Sequence, residues 1–230
     1  MHVPDGFFNS TTSLGAGVVS AGTLAVSVRR ATDELSDRLT PLAGLVAAFV
    51  FALQTLNFPV ASGTSGHLLG AVLAAVLVGP YVGCVCIAVV LLVQALLFAD
   101  GGLSAYGINV LLMGIIPSFA GYGLFWCVRR VLPSTRRAVV SASAIAAFVT
   151  VPLAAAAFSV LFVLGGSVDL SFGTVFAAMV GVHVLIGIGE ALITGSIVSA
   201  VVSVRPDLVR GASHLAPVAL RPHPVPEPVA

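Results

Sequence analysis

Long apolar runs broken by short polar or charged stretches set the pattern of this chain, with seven runs near 11–28, 41–56, 68–80, 81–98, 107–128, 138–164 and 173–203. They are continuously apolar, with no alternation of inward and outward residues. In lipid, only helices and closed barrels satisfy every backbone N–H and C=O. A helix needs about 20 apolar residues to cross the ~30 Å hydrocarbon core. The pattern therefore predicts an all-α, polytopic transmembrane helical bundle of about seven spans. The third run is short and joins the fourth at Gly79-Pro80, a break without charge, so it is open to being a half-penetrating or buried helix.

Charge orients the bundle. All ten cationic residues are arginine. Arg29, Arg30 and Arg38 follow the first run, Arg129, Arg130, Arg136 and Arg137 the fifth, and Arg205, Arg210 and Arg221 the last. With seven spans every arginine falls on one side, which the positive-inside rule makes the cytoplasm. The N-terminus, 57–67, 99–106 and 165–172 then face outward, and the C-terminus lies inside. Residues 1–10 carry Asp5 and no cation, unlike the start of a removable signal peptide. The expectation is a retained first helix with Met1 as the true terminus.

Composition agrees: 58% of residues are hydrophobic, 8% are charged and the mean hydropathy is +1.12. A soluble domain carries about 25% charged residues. The absence of lysine excludes a Walker-type phosphate loop, so any ATP hydrolysis must belong to another subunit. Cys84, Cys86 and Cys127 sit in apolar runs and read as small buried hydrophobes. Residues 1–203 form the membrane domain. From 204 to 230 a proline-rich tail, expected to be disordered and cytoplasmic, carries His214 and His223 on the wrong side for an outer metal site.

The candidate chemistry lies at the outer end. His2 follows Met1, and His67 closes the small-residue loop Gly63-Thr64-Ser65-Gly66. A histidine at the second position of a free N-terminus chelates almost by itself. Its imidazole, its amide nitrogen and the terminal amine close adjacent rings around one ion. A second imidazole completes four nitrogens in a plane, suited to Ni(II) or Cu(II). Pro4-Asp5-Gly6 is turn chemistry that folds the start back toward the bundle, where Phe7 and Phe8 can anchor it. Asp5 is a candidate to orient a histidine. Thr64 and Ser65 are helix-cap or loop residues beside His67. Gln94 and Asn109, polar groups at membrane depth, are candidates to hydrogen-bond the folded-in segment. Asp100-Gly101-Gly102 reads as a tight turn. His183 and Glu190, seven residues apart on one helix face, fit a packing network or an exit route.

These residues resemble a known family, NikM/CbiM, the substrate-capturing (S) membrane subunit of energy-coupling-factor transporters for nickel and cobalt. The matching stretches are MHVPDGF at 1–7, GTSGHLLG at 63–70, QALLFADGGL at 94–103, GINVLLMG at 107–114 and HVLIGIGEALIT at 183–194. The resemblance covers most of residues 1–203. It implies capture of Ni2+ or Co2+ as transported substrate by the Met1 amine, the His2 amide and imidazole, and the His67 imidazole. It implies partners as well: a transmembrane coupling (T) subunit, two cytoplasmic ATPases and, in many members, a small accessory membrane subunit, all in the cell membrane. PDGF with TSGHL leans toward the nickel-type branch. Ser62 stands where the family usually has the first of two glycines.

Two rivals remain at this level. One is a passive divalent-metal channel. The other is an intramembrane enzyme using His183 and Glu190, which lacks a nucleophile or a zinc motif at suitable spacing.

Overall fold

A computed structural model of the protein describes residues 2–37, 39–59 and 65–215. Its helices are α1 (Ser10–Glu34), α2 (Leu39–Gln54), α3 (Ala71–Val78), α4 (Pro80–Leu97), α5 (Tyr106–Asn109), α6 (Ile116–Val131), α7 (Arg136–Gly165) and α8 (Phe172–Val204). A π-helical stretch, Val110–Ile115, joins α5 to α6. Two short strands, β1 (Asn57–Pro59) and β2 (Ser65–His67), pair antiparallel with Asn57 opposite His67. The fold is an all-α membrane bundle with this small hairpin at one end.

Five helical stretches are long and apolar enough to cross a membrane: α1, α4, 106–131, α7 and α8. Helix α2 is apolar but has only 16 residues. The sequence's third run resolves into α3, whose eight residues are all buried. At 1.5 Å per residue it is about 12 Å long, too short to cross the core, and it lies inside the bundle instead. Gly79, at φ +93, turns the chain from α3 into α4, and Pro80 opens α4 where a missing N–H costs nothing. The two helices then touch backbone to backbone: a Cβ on Gly83 would sit 2.9 Å from the Ala75 nitrogen.

Small residues set the other close approaches. Where α8 crosses α7, a Cβ on Gly187 would stand 2.9 Å from the Phe148 carbonyl oxygen. Farther along the same two helices, a Cβ on Gly195 would lie 3.5 Å from the Ala144 Cβ. Without a hydrophobic gain from leaving lipid, such packing is what holds membrane helices together. Side chains from the residue before each helix cap α1, α7 and α8 through Asn9, Thr135 and Ser171.

The expected free tail begins later than 204. Residues 205–215 turn back against the bundle, with Val209 and Ala212 buried. The Arg210 amide donates to the Val76 carbonyl, and its guanidinium meets Glu34 at 3.1 Å and the Val78 carbonyl at 3.3 Å. The apolar pair Val209 and Ala212 and this ion pair outweigh the polar, proline-bearing character that reads as disorder. The proline-rich stretch with His223 lies outside the described residues.

Gly83→Ala therefore loses the α3–α4 contact, an overpacking cost of about 1–3 kcal/mol. Gly123, with nothing within 4 Å of its Cβ direction, is the control. Thermal melts in detergent should show a clear drop for Gly83→Ala and none for Gly123→Ala.

Candidate metal centre

The start of the chain is folded into the bundle. Gly6, at φ +75, closes a turn in which the Phe7 amide donates to the Pro4 carbonyl. Phe7 and Phe8 then lie against Phe158, and Phe7 also against Phe162, with ring centroids 5.7–6.0 Å apart. The Phe7 carbonyl accepts from the Ser167 amide at 2.9 Å, and the Asn9 amide donates to the Gly165 carbonyl at 2.7 Å. Upstream of the turn, both polar groups of Val3 are taken. Its amide donates to Asn109 Oδ1 at 2.8 Å, and its carbonyl accepts from the Gly102 amide at 2.8 Å and from Asn109 Nδ2 at 3.2 Å.

This clamp delivers His2 to His67. Both are buried, and their rings stack with centroids 4.4 Å apart. Each ring spends one nitrogen on a carbonyl-type acceptor. His2 Nε2–H donates to Gln94 Oε1 at 3.1 Å, and His67 Nδ1–H donates to the Leu68 carbonyl at 2.7 Å. That leaves lone pairs on His2 Nδ1 and His67 Nε2, both buried without a hydrogen-bond partner. Burial, more than any neighbouring charge, holds the His67 imidazole well below its ordinary pKa, so it stays a neutral ligand. Among the described residues, no three His, Cys, Asp or Glu side chains converge on one metal position. The His2 and His67 side chains offer two nitrogens.

Asp100 is the residue the sequence pattern missed. Its Oδ1 stands 3.1 Å from His2 Nδ1. A carboxylate oxygen and a bare nitrogen repel, so what belongs between them is positive charge, a proton or a metal ion. The turn that presents Asp100 is shaped around the N-terminal segment. Ala99 sits at φ +52, in the left-handed region that costs a non-glycine residue about 1 kcal/mol. A Cβ on Gly101 would press on the His2 ring at 3.1 Å, and one on Gly102 would collide with the Asp5 backbone. Adjacent glycines after an acid signalled a turn; nothing in sequence named what the turn enfolds.

Asp5 does not take the orienting role expected of it. Its Oδ1 accepts from the Ser104 amide at 2.7 Å and hydroxyl at 2.5 Å, facing away from the histidines. Those bonds, the hydroxyl's first, hold its carboxyl below the ordinary value. It staples the N-terminal turn to the 99–105 loop, and Asp100 holds the position beside His2. Met1 and Thr64 lie outside the described residues, as does the side chain of Ser65.

Glu190 and His183 stand on α8, both buried. Both Glu190 oxygens accept backbone N–H groups, from Gly70 at 2.6 Å and Leu69 at 2.9 Å. His183 Nδ1–H donates to the Met179 carbonyl one turn up its own helix, leaving Nε2 unpartnered. Gln54 Nε2 donates to the Leu69 carbonyl at 2.8 Å, so α2 and α8 grip the segment after His67 from two sides.

Known proteins share this architecture. The family described as cobalt uptake substrate-specific transmembrane region, CbiM, matches residues 2–208. The cobalt transport protein CbiM of Sorangium cellulosum is 34% identical over 81% of this chain and 83% of its own. That of Geobacter sulfurreducens is 36% identical over 91% of this chain and 61% of its own. The fused nickel transport protein NikMN of Rhodobacter capsulatus is 39% identical over 50% of this chain and 33% of its own. The crystal structure of a truncated transition metal transporter superposes with a TM-score of 0.83 at 29% identity, covering 88% of this chain and 99% of that one. The chain, a multi-pass membrane protein, belongs to the CbiM family of cobalt uptake substrate-specific transmembrane regions.

Proposed function

We propose that the protein captures Ni2+, or Co2+, from the extracytoplasmic side through a chelate built on its own N-terminus. The observation that carries this reading is the buried, stacked pair of His2 and His67, with His67 Nε2 unpartnered and the Asp100 carboxylate 3.1 Å from His2 Nδ1. Nδ1 is the imidazole nitrogen that closes a six-membered ring with the His2 amide nitrogen. The Met1 amine then closes a five-membered ring, and His67 takes the fourth corner. Four nitrogens with one deprotonated amide favour square-planar Ni(II); Cu(II) binds such a set more tightly still, so discrimination rests on geometry and supply. Asp100 adds negative charge where the cation seats, and Gln94 and Asn109 fix His2 and Val3. Ser65 opens β2, the strand that ends in His67.

The orientation is supported by charge. Arg29 and Arg30 near the end of α1, Arg129 and Arg130 at the end of α6, Arg136 and Arg137 at the start of α7, and Arg205 and Arg210 after α8 all lie at helix ends remote from the histidine pair. With the cytoplasm on that side, the pair opens outward from a cell membrane. A chain without lysine has no phosphate loop. The resemblance to energy-coupling-factor subunits implies a transmembrane coupling subunit and two cytoplasmic ATPases as partners, with a small accessory membrane subunit as a further one. The intramembrane-enzyme reading loses its general acid–base, since both Glu190 oxygens are engaged by backbone.

Titration of purified protein with Ni2+ and Co2+ tests the chelate. Native protein should bind tightly, and one extra residue before Met1 should abolish it; equal binding by both forms would sink the proposal. Protons compete for the same nitrogens, so affinity should fall with pH. The amide proton gives a slope of about one log unit per pH unit above about pH 8, and the terminal amine raises it to about two below that. A pH-independent affinity would show that no amide is displaced. Asn109→Ala, which frees both polar groups of Val3, should weaken binding about tenfold; unchanged affinity would remove Asn109 from the site.

A further inference from the structure

One peptide group lies between His67 and α8. The amide joining Leu68 to Leu69 presents its carbonyl to His67 Nδ1–H at 2.7 Å and its N–H to Glu190 Oε2 at 2.9 Å. The next N–H, of Gly70, donates to Glu190 Oε1 at 2.6 Å. Gly70 is at φ +69, and a Cβ there would press on Val50 at 2.8 Å, so the chain has no slack at this point. Ligating histidines elsewhere set their tautomer by donating the second nitrogen to a carboxylate or a carbonyl. Here the two acceptors are in series. An N–H bonded to a carboxyl group polarises its peptide, and the carbonyl at the other end becomes a stronger acceptor.

We propose that Glu190 positions and tunes the His67 ligand through this single peptide. It strengthens the bond to Nδ1–H, raises the donor strength of Nε2 and fixes the plane of the ring. The residue never touches the metal. It acts from the last helix of the bundle, about 10 Å along α8 from His183, and His183 takes no part in the relay. The proposal rests on the reading of His67 as a ligand.

Glu190→Gln tests it. The amide side chain keeps the shape, but its NH2 now faces one of the two backbone N–H donors. Ni2+ affinity should fall about tenfold, and the visible ligand-field band of the bound Ni(II) should shift as Nε2 becomes a weaker donor. Gln54→Met is the comparison, because it removes the other brace on Leu69 and leaves the relay intact. It should lower thermal stability with the band unmoved. An unshifted band in Glu190→Gln, whether affinity is retained or weakened, makes Glu190 a brace like Gln54 and overturns the proposal. Should Glu190→Gln fail to fold, Glu190→Asp keeps the carboxyl group but shortens the reach, and an unshifted band there likewise overturns the proposal. His67→Ala separates the two readings. If it binds Ni2+ as the native protein does, both fall. If it loses binding while the Glu190 variants keep the native band, only the relay falls.

Discussion

Burying the start of a polypeptide inside a membrane bundle is possible only if its backbone finds partners there, and Val3 is where that requirement is met. An unpaired N–H or C=O in hydrocarbon costs several kcal/mol. Asn109 answers both groups of Val3 at once, and the Gly102 amide adds a third bond. With Val3 held, His2 can face only one way, and Gln94 sets which of its nitrogens stays open. The phenylalanine cluster and the Asp5–Ser104 staple keep the turn closed behind it. The proposed chelate follows from this clamp, because a terminus free to swing would present the same atoms without the same geometry.

The second half of the site depends on a different device. Helix α3 is too short to cross the bundle, so the chain from β2 to Gly70 descends into the interior without helical hydrogen bonds. Its polar groups are therefore met by side chains, Gln54 from α2 and Glu190 from α8. A charged-type side chain at that depth is costly by itself, and it is tolerated because two N–H donors face it. One break in regular structure thus explains a glutamate and a glutamine that would otherwise look misplaced in apolar helices.

Much of this was legible in the sequence. The apolar runs located the helices from α1 to α8, and His2, His67, Gln94 and Asn109 stood out as polar residues in an apolar chain. The partners of Asp5 and Asp100 were not legible. Both sit in glycine-bearing turns, and which carboxylate reaches a histidine is decided by how two loops distant in sequence dock, a fact no local pattern records. Glu190 was visible as a buried ionisable group, but its contacts lie about 120 residues away on backbone atoms that carry no side-chain signature. The ordered turn at 205–215 was hidden for the opposite reason. Proline and arginine read as solvated chain, and only the bonds from Arg210 to Val76, Val78 and Glu34 show how the turn is held with Val209 and Ala212 buried.

The grip of α8 on the segment after His67 has a consequence for how the protein is made. Glu190 lies in α8, 121 residues after the Leu69 amide it accepts. Until α8 has inserted, the stretch from Leu68 to Gly70 lacks one of its two anchors. The proposed metal competence is then acquired only once α8 is in place, so a chain halted before α8 would not sequester scarce metal.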